Sequence, residues 1–304
     1  MAFLIFNAIS ILLVVLFTSS NADFNQYYYP LWGLNHLTVN PQGTEVQLLM
    51  DKSSGAGFRS KLEYGSGLFH IRMKIPEKKT GGIVTCFYLT SAPDYQNPGN
   101  HFELDYEFLG TNGTVQTNVY DNDGGHREQS FKLWFNPSQD FHTYEILWNP
   151  HQIVFYVDKI PIREFNNNKV RGVDYPSRPM HIEASLWNAN WAGVVDWSQA
   201  PFIAHYQDFN FNACPAQSNT VSQCSSDRYF WNKQKELNAV QKRLMQQYRK
   251  LYMSYDYCSK RATRKPEGGF RDGLKKVGKS ICIRNDKLSS LLRFQRDWRA
   301  LRGI

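Results

Sequence analysis

The sequence predicts an all-β sandwich of two antiparallel sheets with a C-terminal helical extension, and three observations carry that expectation. Between about Asp23 and Asn212, short apolar or alternating runs recur: TEVQLLM, GLFHIRMKI, GIVTCFYLT, FELDYEFL, FKLWF, HTYEILW, IVFYV and HIEASLW. Their length and spacing suit the strands of a sandwich. The segments between them, SSGAG, PDYQNPGN, DNDGG and NPSQ, hold the Gly, Pro, Asn and Asp that turns require. The pattern then changes after Cys214, where Leu237, Val240, Leu244, Tyr248, Leu251 and Tyr252 fall on one face of an amphipathic helix. That face needs apolar partners, so packing on the outside of the sandwich is preferred to a membrane-surface helix. A chain of 304 residues, 42% apolar and 15% aromatic, excludes a disordered protein and is long enough for a sizeable core.

The chain opens on MAFLIFNAISILLVVLFTSSNA, whose apolar stretch is short for a bilayer span and ends in the small residues Ser20 and Ala22. It reads as a signal peptide, residues 1–22, cut after Ala22. Residues 23–212 form the sandwich and 213–304 the extension. Export would place the five cysteines in an oxidising compartment. Cys86, inside an apolar strand-like run, is expected to be a buried free thiol. The other four allow three pairings; Cys214 with Cys224 and Cys258 with Cys282 are preferred because both close short loops.

Charge is uneven. From Ser225 onward there are 21 Lys and Arg against 7 Asp and Glu, or +14; the preceding part is −6, together the net +8. A basic tail on an acidic body suggests a polyanion, for which nucleic acid, a membrane surface and acidic polysaccharide are candidates. Export makes nucleic acid the weakest of these. Leu288, Leu291, Leu292, Trp298 and Leu301 suggest a last short helix, after a Gly-rich basic stretch.

Within HFELDYEFLG, Glu103, Asp105 and Glu107 alternate with Phe102, Leu104, Tyr106 and Phe108. On a strand the three carboxylates share one face and the apolar residues the other. Like charges at that spacing raise one another's pKa. Three readings follow: a solvated outer face, a hard-cation site, or a pair of carboxyl groups that cleaves glycosides, one nucleophilic and one donating a proton. A straight strand makes a poor cation cage. For the third reading Glu103 and Glu107 lean together across Asp105, which hydrogen-bonds one of them.

This strand is similar to the H-x-E-[IL]-D-x-E-F-L-G strand of the plant xyloglucan endotransglucosylase/hydrolases of glycoside hydrolase family sixteen. WGLNH, SGAGFRSKLEYGSGLFHIRMKI, QTNVY, the run from REQSF to PIREF, ASLWN and the cysteine-bearing tail extend the resemblance over roughly Trp32 to Arg264. It implies a jelly-roll, concanavalin-like sandwich, with Glu103 as nucleophile, Asp105 as its helper and Glu107 as general acid and base. It further implies that Glu107, Gln116, Thr117, Asn118, His126, Arg127, Glu128, Trp187, Asn190, Trp191, Gly193 and Arg264 contact substrate. Trp187 and Trp191 would stack on sugar rings, although a buried core indole is the alternative, more so for Trp187.

The implied activity is transfer of a cut β-1,4-glucan chain of xyloglucan to a second chain in the plant cell wall, with hydrolysis when water takes the acceptor's place. No long insertion lies between Gln129 and Trp148, which favours transfer. A glucan-binding, lectin-like module on the same sandwich is the alternative of another class. Asn112-Gly113-Thr114 is a glycosylation sequon. The expected partners are xyloglucan donor and acceptor chains, with acidic wall polysaccharide at the basic tail; no metal, cofactor, nucleic acid or membrane partner is expected, and the protein is expected to act as a monomer. The resemblance departs from the family at His126, where an acidic residue is usual, at Phe102, and in the short ANWAGVVDWS segment.

Overall fold

The structure, a computed structural model, describes residues 22–92, 101–123, 125–171, 174–216 and 221–257. The expected signal peptide of residues 1–22, except Ala22, the expected Cys258–Cys282 pairing, Arg264 and the expected last short helix lie outside the described residues. In chain order the strands are β1 (Tyr28–Trp32), β2 (Leu37–Val39), β3 (Glu45–Met50), β4 (Ala56–Ser60), β5 (Tyr64–Lys74), β6 (Ile83–Thr90), β7 (His101–Leu109) and β8 (Thr114–Asp123). They continue with β9 (Gln129–Lys132), β10 (His142–Trp148), β11 (Gln152–Val157), β12 (Ile160–Asn166), β13 (His181–Asn188), β14 (Phe202–Gln207), β15 (Asn212–Pro215) and β16 (Met253–Asp256). Among the described residues two α-helices flank them, α1 (Phe24–Tyr27) and α2 (Ala239–Tyr252).

The strands form two antiparallel sheets packed face to face. The first runs β1-β4-β13-β6-β7-β8-β9-β16, and the second β12-β11-β10-β5-β14-β3-β2 with β15 added beside β5. The alternation read from the sequence explains the layering: Leu104, Tyr106 and Phe108 of β7 are fully buried between the sheets, with Phe87, Val115, Val119, Tyr144 and Phe155. At about 25 cal/mol per Å2, burying such side chains is worth roughly 2 kcal/mol each and holds the layers together. The Tyr106 hydroxyl donates to the carbonyls of Tyr156 (2.9 Å) and Glu145 (3.2 Å), tying the underside of β7 to the opposite sheet.

The extension covers the outer face of the second sheet. Trp231, Leu237 and the Cys214–Cys224 disulfide pack with Leu147, Val154 and Tyr156. Cys86 is buried and free, as the sequence suggests.

Helix α2 begins with a capping box, Asn238 accepting from the Gln241 backbone while the Gln241 side chain accepts from the Asn238 N–H. Its predicted apolar face is corrected in part. Val240 is 65% and Leu251 62% exposed, and no residue of the helix is fully buried. It is moored instead by Tyr248 and Tyr252 against Trp134 and by Arg249, whose guanidinium donates to the Gln129 side chain (2.6 Å) and the Ile162 carbonyl (3.3 Å). After it the chain turns into β16, which pairs with β9 and extends the first sheet.

Candidate active site

Strand β7 lies in the middle of the first sheet, between β6 and β8, so its outer face is flanked on both sides by strands in fixed register. Thr90, Tyr88 and Cys86 of β6 stand opposite Glu103, Asp105 and Glu107. Tyr120, Asn118 and Gln116 of β8 stand opposite the same three. Neighbouring strands are ~4.8 Å apart, so these residues form one continuous patch around the carboxylates.

Burial distinguishes the three acids. Glu103 and Glu107 are half-buried, while Asp105 is only 4% exposed. Burial first, then the charges of Glu103 and Glu107, push Asp105 well above the usual carboxylate range, and it hydrogen-bonds Glu103. Asp105 is therefore the partner that holds the proton in this hydrogen bond, since a hydrogen bond between two carboxyl groups needs one proton. Burial, followed by the Glu103 charge, raises Glu107 to about 7. The patch thus carries one carboxyl group suited to attack and one suited to give up a proton near neutral pH.

The remaining predicted residues divide by strand alternation. Gln116 lies on the site face; its amide donates to Glu107 (3.5 Å) and accepts from the Ser130 hydroxyl (3.3 Å), so it orients the proton donor. Asn118 lies there too, its carbonyl oxygen accepting from the Arg127 backbone N–H (3.1 Å). Thr117 between them points the other way. Fully buried, it meets Arg163 from the second sheet, and its expected place among the substrate contacts is corrected: period-two alternation forbids three consecutive residues from sharing a face.

Arg127 is corrected in the same sense. It is 8% exposed and its guanidinium donates to the carbonyls of Val119 and Gly125, both at 3.1 Å, so it shapes the loop after β8. Glu128 is half-buried and its charge reaches both Glu107 and Tyr120. His126 is exposed, in the left-handed region at φ 65°.

At the Glu107 end the outer face turns apolar, with Val84, Cys86, Ala189 and Trp187 in contact. The Trp187 indole N–H donates to the Cys86 sulfur (3.3 Å), and Trp191, 59% exposed, packs edge-on to Trp187 at 6.0 Å between centroids. Asn190, exposed, opens the 3-10 turn that carries Trp191. That turn is clamped to the loop before β6, Gly82 donating to the Ala192 carbonyl (3.0 Å) and accepting from Ala189 (2.9 Å). Gly193, at φ 116°, has room for no side chain without crowding the backbone N of Gly82 at 3.2 Å, so its part is to allow this contact. Asn112 is exposed in the turn after β7, its side chain accepting from the Thr114 N–H (2.9 Å). Beside it is a cavity of about 550 Å3 lined by Lys79, Lys132, Trp134 and Tyr252 and by none of the three carboxylates.

Several site-face residues escape the sequence reading. Tyr120 stands opposite Glu103 and Tyr88 opposite Asp105; the His101 Nε2 lies 3.3 Å from the Glu103 carboxylate and its ring stacks on Tyr120. Alternation along β6 and β8 would have placed the two tyrosines, once the pairing of those strands with β7 was known.

A two-sheet sandwich bearing a nucleophile-type and an acid-type carboxyl group on the outer face of one central strand is the equipment of a glycoside-cleaving enzyme. Residues 24–207 match the family model described as glycosyl hydrolases family 16. Among curated proteins, the chain is 49% identical over 253 residues to xyloglucan endotransglucosylase/hydrolase protein 3 of Arabidopsis thaliana, covering 79% of this chain and 85% of that protein. It is 47% identical over 276 residues to protein 2 of the same name and plant, covering 84% and 93%. Among solved structures, the β-glucanase of Bacillus licheniformis aligns with a TM-score of 0.53 at 27% identity, over 64% of this chain and 95% of that one. The chain belongs to glycosyl hydrolases family 16 and, within it, to the xyloglucan endotransglucosylase/hydrolases.

Proposed function

We propose that this protein is a secreted transglucosylase that cleaves the β-1,4-glucan backbone of xyloglucan and joins the new end to another xyloglucan chain, remodelling the plant cell wall. The observation that carries the reading is the division of labour on β7: Asp105 gives its hydrogen bond to Glu103, while Glu107, raised to about 7, keeps a proton. Glu107 protonates the departing glycosidic oxygen as the Glu103 carboxylate attacks the anomeric carbon, forming a glycosyl-enzyme ester. The ionised Glu107 then takes the proton from a 4-hydroxyl of the incoming chain, whose oxygen displaces Glu103. Water in that place gives hydrolysis.

Transfer is favoured over hydrolysis because the sugar-accepting face carries an exposed apolar platform at Trp191, on which a second chain can displace water. Export to the cell wall is supported by the apolar N-terminus ending at Ala22 and by the Cys214–Cys224 bridge, which suits an oxidising compartment. The exposed Asn112 is suited to carry a glycan, and the basic tail to rest on acidic wall polysaccharide. Incubating the purified protein with xyloglucan and a labelled xyloglucan oligosaccharide tests the reading. Label in polymer is expected; new reducing ends without labelled polymer would reduce the enzyme to a hydrolase, and neither product would overturn the reading.

A further inference from the structure

On the site face of the first sheet, Arg59, Glu183, Tyr88 and Asp105 stand in one cross-strand row, each directly opposite the next on β4, β13, β6 and β7. Arg59 and Glu183 are each 4% exposed. The Arg59 Nε donates to the Glu183 Oε1 at 2.5 Å, and its Nη2 is paired with the same oxygen. The other carboxylate oxygen, Oε2, accepts the Tyr88 hydroxyl at 2.5 Å. A buried ion pair gives little stability over an apolar pair of similar volume, so its place beside the carboxylates calls for another account. The register places Tyr88 between Glu183 and Asp105, and its phenol also feels the charge of Glu103, two residues before Asp105 on the same strand face.

A tyrosine hydroxyl has one proton and two acceptor positions. With the proton committed to Glu183, Tyr88 has only lone pairs to offer elsewhere. We infer that Glu183, clamped by Arg59, is a positioning residue that fixes the polarity of Tyr88, so that Tyr88 accepts a hydrogen bond from a hydroxyl of the sugar held at Glu103 and adds no donor to the nucleophile. The inference rests on the carboxylate reading of the site and deepens it. Glutamine at position 183 reverses the polarity. The guanidinium has donors only, so it holds the amide oxygen, and the amide NH2 is left facing Tyr88. The phenol must then accept from that NH2, and its own proton swings toward Glu103, where it weakens the attacking carboxylate.

A double-mutant cycle on the purified full chain tests this, with donor KM, acceptor KM and kcat measured separately for xyloglucan and a labelled oligosaccharide. E183Q is expected to lower kcat about tenfold with acceptor KM unchanged, and to change kcat less than about twofold in a Y88F background, because its harm passes through the Tyr88 proton. Y88F alone is expected to raise donor KM severalfold. An equal loss from E183Q in both backgrounds, or none in either, would overturn the inference. If E183Q does not fold, Y88F decides it: a donor KM at the wild-type value sinks the idea. Wild-type protein without transfer or cleavage on xyloglucan would count against the proposed function instead, and the same cycle read on mixed-linkage β-glucan cleavage would still decide the role of Glu183.

Discussion

The Arg163 Nη1 donates to both the carbonyl (2.8 Å) and the hydroxyl (2.9 Å) of Thr117, joining β12 of the second sheet to β8 of the first beneath the carboxylate patch. Its Nη2 donates to the Arg127 carbonyl (2.7 Å), and the guanidinium packs over the rings of Phe155 and Tyr257. Burial lowers its pKa to about 10, which leaves it a cation at any pH where the enzyme works. One side chain thus anchors β8, the loop after it and, through electrostatic reach, Asp105.

R163M should therefore destabilise the protein by about 3 kcal/mol, because it strands three acceptors that Arg163 now satisfies. Thermal or denaturant unfolding measures it. T117V should cost about 1 kcal/mol and leave KM for xyloglucan unchanged, since Thr117 is on the core side; a several-fold rise in KM would return Thr117 to the substrate contacts.

Replacing the two glutamates should separate their roles. E103Q is expected to lower turnover about 10⁴-fold or more while polysaccharide binding survives, because the nucleophile is lost and the platform is not. E107Q should lower turnover on xyloglucan about 10³-fold and much less on an aryl glycoside, whose leaving group needs no proton. Equal losses on both substrates would remove Glu107 from the acid role.

The pH profile follows from Glu107. Below about 7 it is protonated and can act as acid; above that value the proton is gone, so the rate should fall on the alkaline side with a midpoint near 7. Stability has the same direction. The ordinary value of this group is 4.5 and the folded value is higher, so its contribution is complete below about 4.5 and lost as pH rises through about 7. Wild-type Tm measured across that window should fall more than that of E107Q, whose amide does not titrate.

Trp191 is largely exposed and Trp187 is not. W191A should leave Tm within about a degree of wild type and raise KM for the polysaccharide about tenfold, since a stacked ring is worth about 1 kcal/mol or slightly more. Calorimetry and steady-state rates check the two halves.

The Cys214–Cys224 bridge closes a loop of sequence separation 10, for which chain entropy gives about 3 kcal/mol. C224S should lower stability by that order and loosen the Trp231 cluster on the second sheet, read as a change in near-ultraviolet circular dichroism.

Much of this was written in the local pattern. The alternation in HFELDYEFLG determined which side chains face outward, because the pleat allows one answer once the apolar set is known. The helix beginning at Ala239, the free Cys86 and the Cys214–Cys224 pairing were legible for similarly local reasons: helical period, an apolar strand and a short loop. The exposure of Val240 and Leu251 was not legible, because a helix face is chosen by what it packs against, and here Trp134 and Gln129 choose the Tyr248 and Arg249 side. Nor could strand β16 be seen, four residues whose state depends on the free edge of β9. Thr117 and Arg127 were carried by their neighbours in the motif, although their own side chains serve the core and a loop. The Arg59–Glu183–Tyr88 row joins residues 124 and 95 positions apart in sequence. Only strand pairing brings them level, since register between distant strands is a property of the folded sheet and leaves no periodic mark on any one of them.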